Sequence, residues 1–203
     1  MNFPILSSLI LLPFIGALFL FFTRSRSDNK ITVKYVALFT SLVNFFLSLY
    51  LWVLFDQTTS AFQFIEDRVW IKGFINYKVG VDGISILFII LTTFITPLCI
   101  ISVNNSIKNR LNEFLIAILI METFMIGVFC SLDLVVFYLF FEAGLIPMFL
   151  IIGIWGGERR VYSAFKFFLY TLLGSVLMLV AIISIYWITG TTDVTKLYEI
   201  GID

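Results

Sequence analysis

Two carboxylates of this sequence, Glu122 and Glu142, lie inside long apolar runs. Glu122 lies in FLIAILIMETFMIGVF, and Glu142 lies in FYLFFEAGLIPMFL. A charged side chain at the centre of a membrane helix costs about 2.5–3.5 kcal/mol on insertion scales, so it usually serves a function. Low-dielectric surroundings favour the protonated form of a carboxyl group, and a nearby cation favours its ionised form. Both residues are therefore candidates for proton transfer.

The flanking charges predict that the two carboxylates lie at one depth. Glu122 follows Glu113 by nine residues, and Glu142 follows Asp133 by nine residues. If Glu113 and Asp133 mark opposite membrane boundaries, each glutamate lies about 13 Å from its own boundary, at about 1.5 Å per helical residue. The turn at 131–133 is short, so the two helices must be antiparallel neighbours. We therefore expect both carboxylates in the central layer of the bilayer.

A second interpretation is that each glutamate is a hydrogen-bonded polar residue that holds helices together. Thr123 follows Glu122 and could take part in such a contact. Within one helical turn of Glu142, the only other polar side chain is that of Tyr138. Gly144 leaves space beside Glu142 for water or a facing helix. These neighbours favour the proton-transfer interpretation more strongly for Glu142 than for Glu122.

Lys166, in the segment SAFKFFLYT, is the candidate cation near these carboxylates. A lysine near the end of a span commonly extends its side chain to the interface. Alternatively, its ammonium group biases a proton path toward Glu142. Glu142 lies about ten residues, or about 15 Å, from the same boundary. A chain of water molecules would then have to bridge the two side chains.

The composition predicts a membrane protein. Hydrophobic residues make up 61% of the 203 residues and charged residues 13%, whereas a soluble domain carries about 25% charged residues. Six apolar stretches can each cross a hydrocarbon core of about 30 Å as a helix. They run roughly over residues 3–22, 35–55, 84–103, 114–130, 134–155 and 164–188. We therefore predict an all-α membrane protein with six transmembrane helices.

The distribution of basic residues predicts an orientation for the bundle. The connections at 23–34, 104–112 and 156–163 carry lysine and arginine, whereas the turn at 131–133 carries neither. Short loops with an excess of these residues stay on the cytoplasmic or matrix side. Both termini are then expected on the outer side. The first apolar run has no preceding basic residue, so it is interpreted as a retained helix and not as a secretory signal.

The loop at 56–82, between the second and third predicted helices, is the only sizeable polar segment. Its aromatic and aliphatic residues alternate with polar ones, which is typical of a short surface hairpin. We expect it to seal the outer face of the bundle or a neighbouring subunit. The chain then divides into a three-helix segment at 1–112, which includes this loop, and a second segment at 113–203.

The remaining residue types exclude several kinds of chemistry. There are 13 Lys and Arg against 13 Asp and Glu, so the basic surface of a nucleic-acid-binding protein is missing. The sequence has no histidine, and Cys99 and Cys130 lie in or at the end of apolar runs. No zinc or iron–sulfur ligand spacing can be assembled from these residues. No cofactor or metal is therefore predicted in this chain.

Several long motifs of this sequence are specific enough to indicate a family. The longest is SLDLVVFYLFFEAGLIPMFLIIGIWGGERRVYSAFKFFLYTLLGSVLMLVAI. Others are VGVDGISILFIILTTFITPLCI, METFMIGVF and TGTTD. These motifs resemble the chain 4 family of antiporter-like membrane subunits of proton-pumping NADH:quinone oxidoreductase, respiratory complex I. They occur in that family's order and cover nearly the whole chain.

The resemblance implies roles for the candidate residues. In the family, the glutamate that matches Glu142 pairs with a lysine of the seventh helix and is essential to proton translocation. The glutamate that matches Glu122 is a supporting carboxylate, and the lysine that matches Lys166 lies by the proton path. The subunit itself binds no redox cofactor. NAD, FMN, iron–sulfur clusters and ubiquinone belong to other parts of the complex.

One departure from the family pattern is large. Family members have about fourteen helices in inverted repeats, whereas this sequence reaches Asp203 after six spans. Residues 113–203 would form the first half of one proton-channel repeat. The expected partners are other membrane-arm subunits, the lipid bilayer, and a second chain that supplies the remaining helices if the gene is split. A truncated product is the alternative.

Two other functions remain open at this stage. The chain could be a subunit of a multi-subunit cation/proton antiporter, which has the same ancestry, or a non-catalytic membrane scaffold. The motifs VGVDGIS and GIWGGERRVYSAFKFFLYT favour complex I. The abundance of isoleucine and phenylalanine is typical of AT-rich coding. We therefore expect the mitochondrial inner membrane, or alternatively a bacterial plasma membrane.

Overall fold

The computed structural model describes residues 4–23, 30–71, 75–103, 107 and 109–200. Six long helices alternate in direction along the chain. They are α1 (Ile5–Thr23), α2 (Lys30–Leu54), α3 (Ser85–Ser102), α4 (Leu111–Cys130), α5 (Leu134–Trp155) and α6 (Arg160–Thr189). Two strands, β1 (Gln63–Ile71) and β2 (Ile75–Val81), lie between α2 and α3, and a short helix, α7 (Val194–Ile200), follows α6.

All six predicted spans are confirmed as helices. In the described part of the chain, six helices are long and apolar enough to cross a membrane, with 18 to 30 residues each. At about 1.5 Å per residue, 20 residues reach across a hydrocarbon core of about 30 Å. Such helices satisfy their own backbone hydrogen bonds, which is the condition for crossing lipid. The predicted all-α membrane fold is therefore correct.

The loop between α2 and α3 forms the predicted hairpin. Strands β1 and β2 pair antiparallel, with Glu66 opposite Val79 and Arg68 opposite Tyr77. An isolated bridge between Val79 and Ser131 attaches the hairpin to the turn that joins α4 and α5. The hairpin, this turn and α7 thus lie at one end of the bundle, which we call the hairpin side.

Helix α4 lies at the centre of the bundle. Half of its candidate membrane span is buried inside this chain, compared with 11% of the span formed by α6. It packs against α1, α2, α3 and α5, whereas α6 packs against α5. Two clusters of buried side chains hold these helices together, one of which includes Leu9, Ile89 and Ile126. The predicted segments 1–112 and 113–203 are therefore in direct contact, and their division into domains stays a prediction.

Short α7 was not predicted from the sequence. Gly190 ends α6 in a left-handed conformation with φ 71°, a conformation that glycine adopts without a steric penalty. The chain then turns back toward the start of α5. The backbone N–H of Leu134 donates to the Thr192 carbonyl at 2.9 Å, and that of Val194 donates to the Leu132 carbonyl at 2.9 Å. These bonds join the α6–α7 connection to the α4–α5 turn.

Candidate functional site

Glu142 lies on α5 and faces α6. Its Oε1 accepts a hydrogen bond from the Tyr138 hydroxyl at 3.0 Å, one turn earlier on α5. The same oxygen accepts from the Ser175 hydroxyl on α6. The Ser175 side chain is buried, whereas Glu142 is half-buried in this chain. The carboxylate is therefore held at a helix–helix contact within the bundle.

The Ser175 hydroxyl can serve Glu142 in either protonation state. Its Oγ lies 3.0 Å from the Leu172 carbonyl oxygen, in addition to its contact with Glu142. A hydroxyl has one proton to donate and two lone pairs with which to accept. When Glu142 is ionised, Ser175 donates to it. When Glu142 is protonated, Ser175 can donate to the Leu172 carbonyl and accept the carboxyl proton.

Glu122 occupies a different environment, inside the bundle on α4. Its side chain is 2% exposed, and its Oε1 accepts from the Asn44 side-chain amide on α2 at 2.8 Å. Among the described residues, no hydrogen-bond donor reaches Glu122 Oε2 or Asn44 Oδ1, and both atoms are buried. The Thr123 hydroxyl donates to the Leu119 carbonyl at 3.1 Å. The site thus contains two buried acceptors that lack a donor from the described residues, and ordered water commonly satisfies such groups.

A buried polar stripe on α2 leads to this contact. Ser41, Asn44 and Ser48 are each 0% exposed. The Ser48 and Thr93 hydroxyls lie 2.7 Å apart and link α2 to α3. Sequence reasoning missed these residues, although the spacing of three and four positions along an otherwise apolar helix marks a single face. That face is where Glu122 finds its donor.

Lys166 is not brought to either carboxylate. Its side chain is exposed, and its ammonium nitrogen lies 6.0 Å from the centroid of the Tyr162 ring. Ser175, which contacts Glu142, lies nine residues further along α6, or about 13 Å at about 1.5 Å per residue. The roles of Glu142, Glu122 and Lys166 in proton transfer stay predictions.

A second polar network on the hairpin side was missed. Lys78 on β2 forms an ion pair with Asp193 at 2.8 Å, and both side chains are largely buried. Its ammonium also donates to Thr195 Oγ1 at 2.6 Å. Burial would raise the pKa of Asp193, but hydrogen bonds from Lys78 and Thr195 outweigh it and hold that pKa below its ordinary value. From the sequence, Lys78 was only one charge of a loop.

Asp133 continues this network to the start of α5. Its Oδ1 accepts from the backbone N–H of Val135 at 2.9 Å and of Val136 at 3.2 Å. Its Oδ2 accepts from the Thr192 hydroxyl at 2.6 Å. Asp133 therefore caps the N-terminus of α5 and is buried, with 2% of its surface exposed. The network fixes the start of α5 against the end of α6.

The hairpin is anchored to the start of α1 by Glu66. One of its oxygens accepts from the backbone N–H of Leu6 at 2.9 Å, and the other accepts from the Ser7 hydroxyl. The Ser7 and Tyr77 hydroxyls lie 3.1 Å apart. Burial raises the pKa of Tyr77. A carboxylate at a helix N-terminus is favoured by the free N–H groups and the helix dipole, which explains why the hairpin docks here.

Part of the chain, residues 131–202, matches a known protein family. These residues match the family described as "NADH:quinone oxidoreductase/Mrp antiporter, TM". The matched region begins at the α4–α5 turn and contains α5, α6 and α7. It therefore includes Glu142, Ser175 and Lys166.

Curated relatives match over most of this chain. It is 60% identical over 81% of its length to NADH-quinone oxidoreductase subunit M of Rhodobacter capsulatus. It is 48% identical over 93% of its length to NADH-ubiquinone oxidoreductase chain 4 of Marchantia polymorpha. It is 45% identical over 98% of its length to subunit M of Rickettsia conorii. The chain spans 32%, 38% and 41% of these relatives, respectively.

Solved structures show the same fold. A chain of respiratory complex I from Thermus thermophilus superposes with a TM-score of 0.81 at 28% identity, over 98% of this chain and 40% of that one. A chain of an archaeal membrane-bound sulfane sulfur reductase superposes with a TM-score of 0.78 at 17% identity, over 94% of this chain and 39% of that one. The second likeness concerns the fold alone. The resemblance to complex I that the motifs indicated is thus confirmed.

Proposed function

We propose, from the premise that this chain is homologous to part of the antiporter-like membrane subunits M and 4 of NADH:quinone oxidoreductases, that it takes part in proton translocation. In this proposal, translocation is coupled to NADH:ubiquinone oxidoreduction elsewhere in the complex. Glu142 is the group that binds and releases the proton. The chain contributes to an enzyme without performing its redox chemistry.

The contact between Glu142 and Ser175 is the observation that carries this proposal. A carboxyl group that relays a proton must be accommodated with and without it. The Ser175 hydroxyl can donate to Glu142 or turn to the Leu172 carbonyl, which lies 3.0 Å away. Both recorded donors, Tyr138 and Ser175, reach Oε1. Within the described residues Oε2 has no protein partner, so it is the oxygen available to a proton, a water molecule or a cation.

Glu122 is proposed as a supporting carboxylate on the neighbouring helix α4. Its own Oε2 and the neighbouring Asn44 Oδ1 are buried acceptors without a donor from the described residues, and a transferred proton or a water molecule would supply one. Lys166 is proposed to act near the path on the opposite side from the hairpin. Because it lies about 13 Å along α6 from the Ser175 contact, water molecules must connect it to Glu142.

We propose that the cation partner of Glu142 belongs to the part of the relatives' sequence that this chain does not match. The family resemblance implies a lysine of a seventh helix. A continuation of this chain or a second chain could supply it, together with the other helices of the repeat. Other membrane-arm subunits of complex I are the proposed neighbours. They and the peripheral subunits would hold the NAD, FMN, iron–sulfur clusters and ubiquinone.

The proposed location is the mitochondrial inner membrane or a bacterial plasma membrane. Relatives named chain 4 and relatives named subunit M match at similar identity, which supports both alternatives. The hairpin side is proposed to face the intermembrane or periplasmic space, because the basic loops lie at the other end. Labelling an introduced cysteine at Asp67 with an impermeant reagent tests this orientation.

Substitution of Glu142 in the assembled enzyme tests the proposed function. We expect Glu142→Gln to leave assembly and the affinity for NADH intact and to lower proton translocation by about 100-fold, the smaller end of the range for a lost acid–base group. Glu142→Asp should retain part of the activity. Glu199→Gln, at an exposed carboxylate of α7, serves as the matched control. Unchanged translocation in assembled Glu142→Gln enzyme would support the scaffold alternative.

One observation keeps the antiporter as an alternative, because the description of the matched family names both NADH:quinone oxidoreductases and Mrp antiporters. This alternative predicts that the chain purifies with other antiporter subunits and without flavin. Mass spectrometry of the purified assembly separates the two functions. Flavin-binding and iron–sulfur subunits in the same particle support the complex I proposal, and their absence from an intact particle supports the antiporter.

A further inference from the structure

Two grooves flank the half of α1 that lies on the hairpin side. One groove of about 750 Å³ lies between α1, α4, α5 and the hairpin. The other, of about 850 Å³, lies between α1 and α2. Ser7, Leu11 and Arg68 line both. Each volume falls within the range of small-molecule sites, about 300–1,000 Å³.

Both grooves are apolar and elongated along the helices. The first extends from Ser7 to Phe14 on α1 and from Val136 to Ala143 on α5. Seven residues of helix correspond to about 10 Å. The groove therefore runs from the end of the bundle into the hydrocarbon region. Apolar side chains form most of the second groove as well. Such walls suit alkyl chains better than a compact polar ligand.

Arg68 places a positive charge where the two grooves meet. Its side chain is exposed, and it forms no ion pair with any residue that the structure describes. The nearest acid in sequence on its face of β1, Glu66, is already engaged by the N–H groups and the Ser7 hydroxyl at the start of α1. Trp70 and Tyr77 line the first groove beside Arg68. These residue types are enriched at the membrane interface, so we expect Arg68 at the level of lipid headgroups.

We propose that an anionic phospholipid binds at this position, with its phosphate on Arg68 and one acyl chain in each groove. The two grooves diverge from one cation on either side of α1, as two acyl chains diverge from one phosphate-bearing glycerol. The guanidinium group binds phosphate oxygens through paired N–H donors. A lipid therefore satisfies the charge and both apolar surfaces together. A single protein helix would fill only one of the two grooves that meet at Arg68.

Photocrosslinking with a defined lipid tests the proposal on the purified assembly. The probes are phosphatidylglycerol and phosphatidylcholine that carry the same diazirine-labelled acyl chains. We expect phosphatidylglycerol to label α1, α5 and α2 at residues of the two grooves, and unlabelled phosphatidylglycerol to compete better than unlabelled phosphatidylcholine. This comparison uses the unmodified protein, so it does not depend on how any variant folds.

Two substitutions distinguish the headgroup site from the acyl-chain grooves. Arg68→Gln should lower labelling by phosphatidylglycerol about fivefold, the effect of about one basic residue near an anionic headgroup. Lys196→Gln removes an exposed cation of α7 on the same side and should have no effect. Leu11→Trp fills part of both grooves and should lower labelling by either lipid.

Three results would overturn the proposal. Equal labelling and competition by the two lipids would show ordinary boundary lipid without headgroup recognition. An unchanged yield in folded Arg68→Gln protein would exclude Arg68 as the phosphate ligand. Absence of label from both grooves would show that protein covers them, either from a longer chain or from a neighbouring subunit.

Discussion

The Asn44 amide lies 2.8 Å from Glu122 Oε1, although the two residues are 78 positions apart in the chain. This hydrogen bond joins α2 to α4 at a point where both side chains are almost fully buried. It is the one donor that the described residues provide to Glu122. Removing it should leave a buried carboxyl group without a partner, a situation that costs more than the hydrogen bond itself contributes.

Asn44→Leu should therefore destabilise the bundle by about 1–3 kcal/mol, the penalty for one unsatisfied buried polar group. Replacing both partners, in Asn44→Leu with Glu122→Leu, should recover part of this loss because neither polar group then remains buried. Equilibrium unfolding of the two single variants and the double variant in the same detergent measures the coupling. Additive effects within about 0.3–0.5 kcal/mol would contradict a direct interaction.

The features that could be predicted from the sequence come from residues close together in the chain, whereas the others come from residues far apart in it. Apolar runs such as 114–130 dictate helices locally, and alternation at 56–82 dictates a hairpin. The expectation that Glu122 and Glu142 share a depth likewise rests on local spacing alone, and it stays a prediction. By contrast, Ser175 is 33 positions from Glu142, and Lys78 is 115 positions from Asp193. Such pairs form only when the helices dock, so spacing along one helix could not identify them.

Ser175→Ala should slow proton translocation by about tenfold. The lost contact is a hydrogen bond to a charged group, worth about 1.5–3 kcal/mol, and about 1.4 kcal/mol corresponds to tenfold in rate. Ser184→Ala is the matched control, because the Ser184 hydroxyl donates to the Val180 carbonyl of its own helix at 2.9 Å and is exposed. Rates are measured in vesicles that contain the assembled enzyme.

Ser175→Thr separates a positioning role from simple packing, since it keeps a hydroxyl at the same place. The pH profile of translocation in Ser175→Thr should resemble that of the unmodified enzyme, whereas that of Ser175→Ala should be displaced. Equal profiles for all three proteins would show that this hydroxyl contributes only packing.

The close packing of α4 on α5 also makes a prediction. A Cβ atom added at Gly127 would lie 2.5 Å from the Phe140 ring, whereas one added at Gly174 would meet nothing within 4 Å. Gly127→Ala should therefore destabilise the bundle by about 1–3 kcal/mol through overpacking. Gly174→Ala should be close to neutral. Thermal unfolding in one detergent compares the two, and equal losses would contradict the observed packing.

The Lys78–Asp193 pair predicts how acid affects the hairpin side. Because the pKa of Asp193 is lower in the folded chain than its ordinary value, the ionised form stabilises the fold. That stabilisation is complete above the unfolded pKa of about 3.9 and is lost as the pH falls through the folded pKa. The unmodified chain should therefore lose stability as the pH falls below about 4.

Asp193→Asn should be less stable than the unmodified chain at pH 7, because it leaves the largely buried ammonium of Lys78 without its anion. Breaking a fully buried ion pair costs about 3–5 kcal/mol. The difference between the two proteins should narrow as the unmodified chain is acidified. Asp67→Asn, at an exposed residue of β1, should follow the unmodified chain at every pH. Hydrogen exchange of α7 and β2 amides, measured from pH 3 to pH 7, reports the loss locally. A constant difference between Asp193→Asn and the unmodified chain across this range would mean that the carboxylate of Asp193 does not stabilise the hairpin side through its charge.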